Sequence, residues 1–559
     1  MDHRVKVTVL DKNMNNLTDL WVFDSRHDCW CMENVVYSSK PTDKRFQRLH
    51  IYVPGPYLSR NGIEHDVLCG KYTADTAPVI FHNESGGYMQ MPPNYIGVSL
   101  CTARDYLDNG MIFVSCGLRG VESKYIGGRE WCGKAPTSLV DLKTAIRFLR
   151  HNSCVLPGNY ERIISVGMSS GGAMSALLGV TGDNENYLPL LERNGAFMDE
   201  SDSVYAAQVY CPIIDLEHAD MAYEWNYRAD LRYEASITDH SGTMNGFEKA
   251  LSEKLGSAYI RYFNDLGLKN PENGEILALG EDGRSGSGYE YLLGKLSQSA
   301  TKYLHMLSDG RLPEDYCVND YLSGSYMLEN REHSDVNAGM MRMFMGREPN
   351  LNGKNHDITS GTMLSLMPRG MRGNIREPKK NCHGKEKSWL SWDGDAAMLN
   401  DLDSYVLEYR GRYKPCPAFD KLKKTSAENR LFGNRTVYAR HFNTDMPEML
   451  EALKKEYPDE CQSLLEEYED IRDDQELERQ KYLMNPFNFI GTEEISRQAK
   501  YFRIRTGALD ADTSLAVSMT LSLLLQEAGI QTDYAIVWEK PHCNADYPGE
   551  LQEWIKSIC

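Results

Sequence analysis

Short apolar runs alternate with helical spacing in two separate stretches of this chain. In the first, about 49–214, runs at 49–53, 79–81, 111–116, 163–166 and 206–211 have the length of strands. Residues 139–150 instead repeat apolar positions three and four apart, which predicts a helix. The second stretch, 501–559, repeats the pattern, with strands at 501–505 and 534–538 and helices at 515–528 and 550–558. Strands alternating with helices predict a mostly parallel α/β sheet covered on both faces. Between the two stretches the pattern changes. Residues 448–482 are heavily charged at helical spacing, as solvated helical faces are. The glycines of 283–288 read as a flexible loop, because no strand precedes them as a dinucleotide fingerprint requires. Residues 332–387 gather Met340, Met341, Met343, Met345, Met363, Met367 and Met371 among glycines and basic residues. They read as a surface loop insertion, with an adaptable apolar rim beside a binding site as the functional alternative. The division expected is a core first part (1–219), an inserted lid (220–488, with 332–387 as an extra loop) and a core second part (489–559).

Composition narrows the class. In 559 residues a 41% hydrophobic share supports a sizeable core. No apolar run approaches the ~18–20 residues needed to span a bilayer, and the N-terminus lacks the apolar region of a signal peptide. The expectation is a cytoplasmic protein that does not enter membranes, although a secreted form with its signal removed would read the same. A net charge of −19 argues against a nucleic-acid partner. The fourteen cysteines are scattered, and the close pair Cys29 and Cys31 has no second pair at zinc-finger spacing. Reduced thiols are expected in a chain this large. Nothing in the pattern specifies an oligomeric state.

The candidate chemistry begins at Gly167-Met168-Ser169-Ser170-Gly171, a G-x-S-x-G pentapeptide. A chain this long shows the pattern by chance roughly 0.2 times, so context decides. A strand leads in at 163–166 and a helix opens at Gly172, which is the strand–turn–helix that presents a serine hydroxyl at a sharp turn. Serine needs a base, and in this arrangement the order is Ser, then Asp or Glu, then His. Asp510 follows the strand at 501–505 and His542 follows the strand at 534–538. Both fall at C-terminal strand ends, where parallel sheets place their chemistry. Taken alone His542 is an ordinary loop histidine; its place after the last strand singles it out. Ser169 is thus the candidate nucleophile, His542 the base and Asp510 its orienting carboxylate. The oxyanion needs two donors. The N–H of Ser170 is one, and the loop 81–88 offers Gly87, or Gly86 beside it, as the other. His218 and Glu224 lack the spacing of a helical zinc pair and read as structural.

Together these segments resemble the bacterial tannases, esterases of gallic acid esters within the tannase and feruloyl esterase group of the α/β-hydrolase superfamily. The resemblance is carried by Gly117-Leu118-Arg119-Gly120, by 141–152, by the elbow 165–179, by Tyr210-Cys211-Pro212-Ile213 with 218–225, and by the C-terminal segment from Phe502 to His542. Inside the insertion it adds Lys414-Pro415-Cys416-Pro417-Ala418-Phe419-Asp420 and Glu428-Asn429-Arg430-Leu431-Phe432-Gly433. The resemblance implies an α/β-hydrolase core with a large inserted lid, and acyl transfer from a small aromatic ester without metal or organic cofactor. It places contacts to galloyl ring hydroxyls on Lys414, Glu428 and Asp512. Charge-assisted hydrogen bonds suit three adjacent hydroxyls. Feruloyl or other aromatic esters are the alternative substrates. The chain departs from the family in Met168 and Ser170 beside the nucleophile, in His82 and Glu84 of the early loop, and in the methionine-rich stretch.

Overall fold

The computed structural model describes residues 8–13, 17–96, 103–125, 127–233, 241–312, 316–324, 387–492 and 496–559. Nine strands form one sheet: β1 (Val22–Asp24), β2 (Cys29–Val36), β3 (Arg48–Pro54), β4 (Pro78–Asn83), β5 (Ile112–Cys116), β6 (Asn159–Met168), β7 (Ala206–Tyr210), β8 (Tyr501–Gly507) and β9 (Gln531–Val537). Their spatial order is β1-β2-β3-β5-β4-β6-β7-β8-β9. The six from β4 onward run parallel, and β1 to β3 form an antiparallel edge joined to β5. Seven of these strands lie where the apolar runs predict them. The pattern misses β1 and β2, because a register shift between Met32 and Val35 places Glu33 and Asn34 in mid-strand and breaks the two-residue alternation.

The parallel strands are buried on both faces, so they read as continuous apolar runs. Helix α1 (Thr137–His151) and helix α2 (Ser170–Val180) pack together, and α2 lies against β6 and β7. Helix α1 carries buried charge that is fully matched. Asp202 accepts from Lys143 Nζ at 2.6 Å and from Arg147 Nε at 2.7 Å.

After β7 the chain leaves the sheet and returns at β8. The excursion opens with α3 (Leu216–Tyr227), α4 (Gly246–Asp265) and α5 (Ser287–Ser308). The glycine-rich loop is shorter than predicted, since Gly286 caps α5 and its last two residues are already helical. A π-helical turn at Val406–Arg410 and the short α6 (Ala427–Leu431) follow. The charged stretch forms α7 (Met446–Leu453), α8 (Pro458–Glu469) and α9 (Gln475–Met484). Each buries one apolar stripe, such as Cys461, Leu464 and Tyr468 of α8, and leaves its acidic face to solvent. Helix α10 (Leu515–Glu527) packs on β8 and β9, and α11 (Glu550–Ile558) ends the chain. The methionine-rich stretch lies outside the described residues except for Lys387. Among the described residues no helix is long and apolar enough to cross a membrane.

Asp215, just before α3, pins this excursion to the sheet. Its carboxylate accepts from His218 Nδ1 and Tyr262 OH, each at 2.7 Å, and from Asn485 Nδ2 at 2.9 Å. The His218 ring stacks on Tyr262 with centroids 3.9 Å apart. Burial alone would lower the imidazole pKa, but the Asp215 charge and hydrogen bond, with Glu217 and Asp445 nearby, raise it from 6.5 to about 9. A raised folded-state pKa means stabilisation that is complete below 6.5 and lost as pH rises through 9. Urea unfolding of the wild type and His218→Gln should therefore show a stability gap that narrows across this interval. A gap that stays constant would mean that the pair does not titrate.

Candidate active site

Ser169 stands between β6 and α2 with φ = 64° and ψ = −125°, a conformation that residues with a side chain rarely adopt. The strain turns the hydroxyl out of the sheet, and close packing holds it there. A Cβ on Gly167 would stand 2.2 Å from the Gly171 carbonyl oxygen, so the flanking glycines are steric necessities. Backbone bonds fix both sides of the turn. Ser169 N donates to Tyr210 O at 3.0 Å, and Ile213 N donates to Ser169 O at 3.3 Å. Ser169 remains half-buried while every residue of α2 is buried.

The structure brings Asp510 and His542 together, both buried, with Nδ1 2.9 Å from Oδ2. The other Asp510 oxygen accepts from the Asp512 amide at 2.9 Å. The two loops are also joined by their backbones, through Leu509 N and Lys540 O at 2.8 Å. Burial would raise the Asp510 pKa, but the His542 imidazole and the Arg410 guanidinium hold it below its ordinary value. Burial would conversely lower His542, and the charges of Asp510 and Asp512 push it well above. Such an imidazole is a strong proton acceptor held in one orientation.

Helix α3 fixes the Asp510 loop. Tyr227 OH donates to Asp510 O at 2.8 Å, and Tyr223 OH donates to Ala511 O at 3.0 Å. Arg410 lies over the Tyr227 ring at 4.7 Å and donates to Thr513 O at 2.9 Å. These supporting residues are not visible in the sequence, because each acts across a separation of more than 100 residues.

The early loop closes on the elbow. Ser170 Oγ lies 3.0 Å from Ser85 Oγ and accepts from the Tyr88 amide at 3.0 Å. Gly87 precedes that amide with φ = 54°, half-buried beside the buried Tyr88. The first amides of α2, Ser170 among them, have no acceptor within the helix. The loop at Gly87 is thus held to the elbow through the Tyr88 amide and the Ser170 hydroxyl. His82 and Glu84 are buried and meet each other at 3.1 Å, and Glu84 also accepts from Ser115 Oγ at 2.7 Å.

The three charged residues from the motif match approach this region through shared partners. Tyr223 OH accepts from Lys414 N at 3.0 Å, and the same tyrosine lies within electrostatic reach of Asp512. Lys414 Nζ sits 3.9 Å from the centre of the Phe419 ring. Glu428, on α6, is the charge felt by the buried Tyr88 hydroxyl. All three are half-buried. Lys414 is held from behind by Arg412, whose Nε donates to its carbonyl at 2.7 Å. Arg412 in turn makes a two-point ion pair with Glu224 of α3, at 2.7 and 2.5 Å, with both side chains fully buried. Glu224 is therefore structural, as its spacing indicated, and so is His218.

Comparison with known proteins bears on the fold and on the class of reaction. The family model BD-FAE, of an α/β-hydrolase family, matches residues 66–240. The chain is similar to the tannin acyl hydrolase of Lactobacillus plantarum, with 28% identity and a TM-score of 0.72 over 98% of this chain and 99% of that one. It is similar to the tannase of Fusobacterium nucleatum at 27% identity and a TM-score of 0.71, with the same coverage. A tannin acyl hydrolase in complex with ethyl gallate also matches, at 27% identity and a TM-score of 0.71. No curated protein sequence matches the chain. The fold is that of the α/β-hydrolases, and the protein is a carboxylic ester hydrolase.

Arg412→Met should destabilise the protein by about 3–5 kcal/mol, because it leaves the Glu224 carboxylate buried without its cation. Denaturant unfolding of the variant measures this. The double variant Glu224→Leu with Arg412→Met should recover much of the loss.

Proposed function

We propose that the protein hydrolyses galloyl esters through an acyl-enzyme on Ser169. His542 takes the serine proton as the hydroxyl attacks the ester carbonyl, and Asp510 steadies the imidazolium that forms. The N–H groups of Ser170 and Gly87 receive the charge on the tetrahedral oxygen. His542 returns the proton to the departing alcohol. It then activates water, which releases the acid and restores the serine.

One observation carries the galloyl reading. Lys414, Glu428 and Asp512 come from three separate segments, yet each is coupled to an element of the elbow or of the Asp510 loop, through Tyr88 or Tyr223. A cation and two carboxylates converging on an ester-cleaving serine would suit a ring bearing adjacent hydroxyls, which both accept and donate. A site built to bond hydroxyls also disfavours rings that lack them. The similarity to tannin acyl hydrolases, one of them complexed with ethyl gallate, supports the same substrate class. Feruloyl or other aromatic esters are the second reading, since the BD-FAE family model covers the elbow.

Ser169→Ala should lower kcat on a gallate ester by at least about 1,000-fold. An unchanged rate would refute the nucleophile. Lys414→Met and Glu428→Gln should each lower kcat/KM for methyl gallate by about 10- to 100-fold, the loss of one hydrogen bond to a charged group. The same variants should change methyl benzoate hydrolysis far less. Faster turnover of a cinnamate ester than of a gallate ester would replace galloyl by cinnamoyl as the preferred acyl group.

A further inference from the structure

The end of β7 adopts a conformation that the strand does not require. Cys211 takes φ = 42° although it carries a side chain, a strained conformation. Its amide is fixed to Arg505 O at 2.8 Å, and it is fully buried. The thiol donates to the Cys543 carbonyl at 3.3 Å and lies beside the His542 imidazole. Ligating atoms of Cys211, Asp510 and His542 all lie within 4.8 Å of one another. Acyl transfer has no use for a thiol at this place.

We propose that Cys211, His542 and Asp510 form a buried site for a borderline-soft divalent cation of the Zn2+ or Cd2+ class, and that its occupation switches hydrolysis off. The inference rests on the reading of His542 and Asp510 as triad members. Thiolate, imidazole and carboxylate are the donors that zinc selects, at ~2.0–2.3 Å. Donors around such an ion stand ~3.3–3.8 Å apart, so the cluster closes with shifts of about 1 Å or less. The ion displaces the thiol proton to solvent and takes His542 Nδ1, the nitrogen that faces Asp510; the Nδ1 proton moves to Nε2, so the imidazole no longer offers the lone pair that would accept the proton of Ser169. Its two charges are balanced by the Asp510 carboxylate and the Cys211 thiolate, which leaves the occupied cluster neutral, as burial favours. Cys543, next to His542 in the chain and bonded by the Cys211 thiol, is partly exposed, so the cluster lies one residue from solvent. Mg2+ and Ca2+ prefer sets of oxygen ligands and are excluded.

The test compares the wild type, Cys211→Ser and His542→Ala by equilibrium dialysis against Cd2+, and follows methyl gallate hydrolysis under added Zn2+. The wild type should bind one more Cd2+ than either variant. Other thiols, such as the Cys29–Cys31 pair with its sulfurs 3.7 Å apart, are common to all three proteins and cancel. Zn2+ should inhibit the wild type, and a chelator should restore its rate. Cys211→Ser, scaled to its own metal-free rate, should need about 10- to 100-fold more Zn2+, while Mg2+ and Ca2+ have no effect. Equal Cd2+ stoichiometry in the three proteins would overturn the site. One equivalent lost in both variants, with no inhibition of the wild type, would keep the site and overturn the triad reading instead.

Discussion

The buried ion pair between Glu224 and Arg412 ties α3, at the start of the inserted excursion, to the segment that carries Lys414. Taking both charges out of water costs several kcal/mol each, and the two-point geometry with Ser252 Oγ at 2.5 Å from Glu224 offsets that cost. What the pair provides is position. Glu224 belongs to α3, whose residues Asp220, Tyr223, Glu224 and Tyr227 share one helix face by their spacing. Asp220 accepts the amides of Phe419 and Asp420, Glu224 holds Arg412, and Tyr223 holds Tyr413 and Lys414. The two tyrosines also carry the loop of Asp510. A single helix therefore sets the Lys414 segment and the acidic partner of His542 relative to each other.

The same economy appears around Ser169. Three residues with side chains, Ser169, Cys211 and Asp215, take left-handed φ values within one short region of the fold. Each is locked by bonds to a neighbouring segment: Ser169 to Tyr210 O, Cys211 to Arg505 O, and Asp215 to three side chains from the helices after β7. Strain of this kind persists only where surrounding packing overdetermines it, and β6, β7 and β8 are nearly all buried here. The turn that exposes the serine is thus supported by the thickness of the parallel sheet behind it.

Ser170 shows how an unexpected residue finds its use. Its hydroxyl is buried and holds both Ser85 and the Tyr88 amide, so it joins the early loop to the elbow. A smaller residue there would remove that tie. His82 and Glu84, the other departures in this loop, satisfy each other together with Ser115 and Asn94. The loop's polarity is thereby spent within the loop and its neighbours.

How much of this was legible beforehand depended on whether the signal was local. The parallel strands, the elbow and the order Ser169, Asp510, His542 could be read directly, because a buried strand must be apolar along its length and a strand–turn–helix needs glycine at fixed steps. The antiparallel edge was missed where a bulge destroyed the alternation. Lys414 and Glu428 were reached only by resemblance, since a half-buried charge in a polar segment looks like any solvated one. The tertiary structure alone decided that Tyr223, Tyr227, Arg410 and Arg412 support the site, and that Cys211 lies against His542. These relations join residues far apart in sequence through hydrogen bonds and burial, and no periodicity or spacing along a chain records which distant groups will meet once water is excluded between them.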